Sequence, residues 1–148
     1  MKKKIKQIYH SKKIQKLPIW NLQDLYLSPN SKEIQKDLKF IKKECLLFEK
    51  QYFRKILSCN SKQLYNAIVK LENIDIKIDK ILSYAHLLVA ENNNIEKNKI
   101  FFQQIQENIN DCASSTIFFS LELNHIKDSK LKNLLKDKQL AKYKYWIS

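Results

Sequence analysis

The chain contains no glycine and only two prolines, Pro18 and Pro29, in 148 residues. Glycine supplies the positive φ angles of tight hairpins, so its absence argues against an all-β fold. It also excludes the Gly-rich phosphate loops of P-loop and dinucleotide-binding enzymes. No apolar run approaches the roughly 18 residues of a membrane-spanning helix. The start, MKKKIKQIYHSKKIQKLP, lacks the apolar stretch of a signal peptide. Cysteine is scarce: Cys45, Cys59 and Cys112 are odd in number, widely spaced and without a CxxC pair. That pattern fits free, buried thiols in a reducing compartment better than a disulfide framework. The expected location is the cytoplasm, with no membrane partner.

What is present in quantity is lysine. The net charge is +13, and of 28 basic residues only Arg54 is arginine. A basic surface is the footprint of a nucleic-acid or anionic-membrane partner. Phosphate recognition, however, favours the bidentate fork of arginine. Lys, Ile and Asn are all abundant and all share AT-rich codons, so compositional drift is the other reading of the charge. Tandems such as Lys12-Lys13 and Lys42-Lys43 read as solvated charge.

The hydrophobic spacing is helical. Residues 1–15 are basic, with Ile5, Ile8 and Ile14 too sparse for a core helix, and read as a flexible arm. Residues 16–148 read as one helical domain. Pro18 biases Leu17 toward extended geometry. A short helical preface over 21–26, capped by Asn21, brings Leu22, Leu25 and Tyr26 together beside Trp20. Ser28-Pro29 ends it and Ser31 caps a long helix. Its stripe is Ile34, Leu38, Ile41, Cys45, Phe48, Tyr52 and Ile56, with the break expected at 59–61. A second helix, capped by Ser61, carries Leu64, Ile68, Leu71, Ile78, Leu82, Ala85 and Val89 on one face. Asn92, Asn93 and Asn94 end it, since Asn prefers turns. A third stripe runs from Ile95 through Phe102, Ile105, Ile109, Cys112, Thr116, Phe119 and Leu123 to Ile126. Asp128 opens a shorter helix through Leu131, Leu134 and Leu135, and Asp137 a last one through Leu140, Tyr143 and Trp146. The expected fold class is all-α: an antiparallel bundle of three long helices, with a short helical preface and one or two short C-terminal helices.

Chemistry-bearing patterns are few. His10, His86 and His125 form no HExxH, the spacing that aims two imidazoles and a general base at one zinc ion. They read as structural or surface histidines. A zinc site from Cys45, Cys59, Cys112 and His86 has no supporting spacing. Glu91 and Glu96, and Glu107 and Asp111, read as solvated charges on exposed helix faces. Phe101, Phe102, Phe118 and Phe119 read as core rather than as a base-stacking platform. The last residues, YKYWIS, place Tyr143, Tyr145, Trp146 and Ile147 in a short aromatic run. That run needs apolar cover and reads as a docking surface, as though a further segment followed.

The stretch LPIWNLQDLYLSPNSKEIQKDL resembles the entry segment of oligoendopeptidase F, a zinc metallopeptidase family related to thimet oligopeptidase. Leu17, Pro18, Trp20, Leu22, Asp24, Leu25 and Tyr26 match the pattern, while Asn21 stands where Asp is usual. KILSYAHLLVAEN is similar to the family's second long helix. IFFSLELNHIKDSKLKNLLKDKQLAKYKYWIS is similar to the end of its N-terminal helical domain. The resemblance implies a helical wall on one side of a deep channel that admits short peptides. It places catalysis in a later domain, where HExxH and a downstream Glu hold zinc and the Glu within the motif activates water. None of those residues exists in this chain, so no catalytic or metal residue and no cofactor carries over; zinc belongs only to the full-length enzyme. The implied partner is a catalytic part bearing HExxH, encoded separately, or else the chain is a truncated gene product. The alternative is a free-standing basic helical module for nucleic acid or anionic surfaces, with nucleic acid the less favoured partner.

Overall fold

The computed structural model describes residues 21–147. The basic arm, His10, and the motif residues Leu17, Pro18 and Trp20 lie outside the described residues. The described chain is all-helical. Three long helices, α1 (Lys32–Tyr52), α2 (Ser61–Glu91) and α3 (Glu96–Ser114), are followed by short ones, α4 (Phe118–Leu123), α5 (Asp128–Leu134) and α6 (Lys144–Ile147). Three 3-10 turns, at Leu22–Asp24, Ile56–Ser58 and Leu140–Tyr143, fill the connections.

The preface, α1 and α2 each start from a local side-chain cap. Asn21 Oδ1 accepts from the Gln23 amide at 3.1 Å and opens the preface. The Ser28-Pro29 turn closes with the Ser31 amide donating to the Ser28 carbonyl, and Ser31 Oγ then accepts from the Ile34 amide. A fixed proline φ followed by a hydroxyl cap starts α1 without glycine. At α2 the cap is Asn60, not Ser61. Asn60 and Gln63 exchange side-chain-to-backbone bonds in a capping box. The Ser61 hydroxyl is left to donate to the Leu134 carbonyl, which ties α5 to the start of α2. Asn92 and Asn94 form the turn after α2, and the Asn98 side chain donates to the Leu88 carbonyl.

Two breaks depart from the expected stripes. The first helix ends at Tyr52, earlier than the expected break at 59–61, and Ile56 sits in a separate 3-10 turn. Arg54 adopts φ 59°, the left-handed region. The carboxylate of Glu122 accepts from the amides of both Arg54 and Ile56 and satisfies the turn from 68 and 66 residues away. The third stripe is also not one helix. α3 stops at Ser114, where the Ser114 and Thr116 hydroxyls donate back to the Asp111 and Ala113 carbonyls. Such local bonds compete with the helical ladder. The break re-aims the chain so that the adjacent residues Phe118 and Phe119 are both buried. Beyond α5, Asp137 Oδ1 accepts from the Gln139 and Leu140 amides, but it leads into the 3-10 turn and the four-residue α6 rather than one helix.

Ion pairs give the direction of packing. Lys70 pairs with Glu44, Lys77 with Asp37 and Lys80 with Glu33, so numbers fall on α1 as they rise on α2. The two helices are antiparallel. The Asn98 side chain reaches the Leu88 carbonyl and Phe101 meets Tyr84, so numbers also fall on α2 as they rise on α3. The core between the long helices holds Ile34, Ile41, Cys45, Phe48, Ile74 and Ile81, among others. Tyr84, Ile74 and Ile81 belong to that core although the expected α2 stripe passed them by. Phe48 also receives Phe118 and Phe119 at 5.7 and 5.6 Å, so α4 closes one end of the bundle.

Candidate functional site

The preface is held by a polar tie that the hydrophobic pattern does not reveal. Tyr26 is fully buried and donates its hydroxyl to Asp37 Oδ2 at 2.8 Å. Lys77 Nζ reaches Asp37 Oδ1 at 2.9 Å. Asp37 is the one buried charged side chain among the described residues. Burial alone would lift its carboxyl, but the bonds from Lys77 and Tyr26 outweigh that and hold it below the usual range. Burial, and then the bond to Asp37, push the Tyr26 phenol far above its ordinary value. Lys80 sits 4.2 Å from the Tyr26 ring centroid and pairs with Glu33. Tyr26 also meets Tyr84 edge-on at 5.3 Å. Preface, α1 and α2 therefore converge on one residue. Of the other motif positions, Leu22 and Leu25 pack partly buried against the core and Asp24 is exposed.

The four aromatic-run residues split between core and surface. Ile147 is buried, and Tyr143 is half-buried, donating to Glu72 Oε2 at 2.8 Å and lying against Tyr65. The Glu72 bond, with burial, pushes the Tyr143 phenol up to about 12. Tyr145 is 91% exposed; Trp146, 53% exposed, stacks one face on Phe119 at 6.1 Å. Trp146 and Tyr143 line an open groove of about 290 Å³ with Ile76 and the carboxylates of Glu72, Asp75 and Asp79. Asp75 is exposed, but partial desolvation beside the groove, and then the charges of Asp79 and Glu72, lift its carboxyl. This is an acidic spot on a strongly basic chain. The carboxylates were not singled out from the sequence, although their i, i+3 and i+7 spacing on α2 places them on one helix face.

The chemistry-bearing residues are dispersed. His86 packs on Phe102 from an exposed position, and His125 Nδ1 lies 2.6 Å from the Leu121 carbonyl. Cys59 donates to the Lys55 carbonyl. Cys45 on α1 and Cys112 on α3 line one cavity, and each thiol shifts the titration of the other. Among the described residues, no group of three or more His, Cys, Asp or Glu side chains is placed to hold a metal ion. No helix among them is long and apolar enough to cross a membrane. Phe118 and Phe119 are buried and Phe101 and Phe102 pack against the core, so none forms an open stacking platform. No protein-family model, curated protein or solved structure matches the chain.

Proposed function

We propose that this chain is a non-catalytic helical domain of an oligoendopeptidase F-like zinc metalloendopeptidase, which docks on the catalytic part and walls one side of its peptide channel. The observation that carries the docking is the exposed pair Tyr145 and Trp146, of which Trp146 lines an open groove together with Ile76. Tyr26, Tyr84, Phe48 and Phe119 are packed inside, and the exposed Phe40 and Phe53, at 41% and 43%, are less open than Tyr145 and Trp146. Contiguous exposed apolar surface marks interaction sites. The peptidase assignment rests on the entry-segment pattern, whose described members Leu22, Leu25 and Tyr26 brace the start of the bundle. Short peptides are substrates of the complete enzyme only, and the HExxH-bearing part is the partner.

The test is cleavage of a quenched fluorescent oligopeptide by an oligoendopeptidase F catalytic part lacking its own N-terminal domain, with and without this chain. A channel needs both walls to hold substrate near the metal. Mixing is therefore expected to restore chelator-sensitive cleavage that neither piece shows alone. Chelator-sensitive turnover by this chain alone would overturn the reading. DNA binding that weakens steeply with salt, without any complementation, would favour the basic binding module instead.

A further inference from the structure

Cys45 and Cys112 are 67 positions apart in sequence, yet they line one cavity at the α1–α3 seam and each thiol shifts the titration of the other. Both line the same partly open cavity of about 100 Å³, with Lys42, Asn108, Asp111 and Ser115 around it. Cys45 is 1% exposed and Cys112 9%, so Cys112 is the more accessible of the two. Cys59 sits apart, bonded to the Lys55 carbonyl, and does not line this cavity. From this placement we infer that Cys45 and Cys112 are a dithiol modification site, which a small disulfide oxidant converts into a covalent staple between α1 and α3.

The roles of the two sulfurs differ. The Lys42 ammonium and the Cys45 thiol act to lower the Cys112 thiol, while the Asp111 carboxylate acts to raise it. Burial outweighs the two lowering influences and leaves the Cys112 thiol raised, with Cys45 pushed up to about 12. Reaction is therefore slow but ordered. Cys112 gives up its proton, and its thiolate attacks one sulfur of the oxidant. The oxidant's S–S bond breaks, releasing one small thiol and leaving a mixed disulfide on Cys112. Cys45 then loses its proton and attacks the Cys112 sulfur, and the second small thiol leaves. Two protein thiols are oxidised, one small disulfide is reduced, and two small thiols are released. Bridging brings the two sulfurs that line this cavity to about 2.05 Å.

The experiment treats the full folded chain with hydroxyethyl disulfide, blocks remaining thiols with iodoacetamide after brief denaturation, and maps the peptides. The expected product has one alkylated cysteine, Cys59, and one linked pair of peptides carrying Cys45 and Cys112. Its thermal midpoint should rise by roughly 5 °C or more, because the bridge closes a long loop in the unfolded chain. Reduction should reverse the shift. A Cys45→Ala variant that stays folded by circular dichroism should instead stop at a mixed disulfide on Cys112. Three alkylated cysteines after treatment, or a bridge that includes Cys59, would overturn the inference, and so would a linked pair that leaves the midpoint unmoved.

Discussion

At Asp37, burial and bonding pull the carboxyl in opposite directions, and bonding wins. A carboxyl held below its unfolded value contributes stability that is present above about pH 4 and is lost as pH falls through the folded value. Urea unfolding between pH 6 and pH 2 is expected to show that loss in the native chain. The curve should be flatter in Asp37→Asn. Tyr26→Phe removes one donor from the same carboxylate and is expected to cost about 1–3 kcal/mol at neutral pH. Asp75 carries the opposite sign. Its carboxyl is raised by partial desolvation and by Asp79 and Glu72, so it disfavours folding increasingly as pH rises past the unfolded value, and fully above the folded one. Asp75→Asn should therefore raise the thermal midpoint at pH 7 and leave it unchanged at pH 3. Arg54 is the third residue of this kind. A left-handed φ strains a side chain with a Cβ. Arg54→Gly is expected to gain roughly 0.5–1 kcal/mol, while Glu122→Ala, which orphans two amides, should lose about 1–3 kcal/mol.

Helix existence was legible where spacing and caps agreed. Ser31 after Pro29 starts α1, the Asn run ends α2, and Asp128 is the first residue of α5. Periodicity alone overran two ends. Ile56 and the residues after Ser114 keep the helical spacing, but each belongs to a new element. The carboxylate that closes the first break comes from Glu122, a long-range partner that no local window contains. The Ser and Thr back-bonds of the second break were local, yet in a sequence that keeps its apolar register they read as helix surface. The cap of α2 was misplaced by one residue because Asn60 and Ser61 are both competent. Gln63, three residues after Asn60, completes the box and decides between them. Asn60→Ala is expected to destabilise the chain by about 1 kcal/mol in a urea titration, with Ser61→Ala acting instead through its lost bond to Leu134.

For the whole molecule, the architecture was readable and the site only in part. Tyr145 and Trp146 do face outward, but Ile147 belongs to the core and Tyr143 is bonded to Glu72. A run of apolar letters cannot say which of its members a short helix turns inward. The acidic groove beside Trp146 was masked by the overall charge of +13. The central claim is that this surface seats a catalytic partner. Tyr145 is the residue to change, because its exposure leaves the fold little to lose. The decisive measurement is the peptide-cleavage rate of the HExxH-bearing catalytic part, titrated with the native chain and with Tyr145→Ser. The account predicts saturable activation by the native chain, and a titration midpoint raised roughly tenfold by Tyr145→Ser, the loss of one good interface anchor. Equal activation by both chains, or none by either, would contradict it.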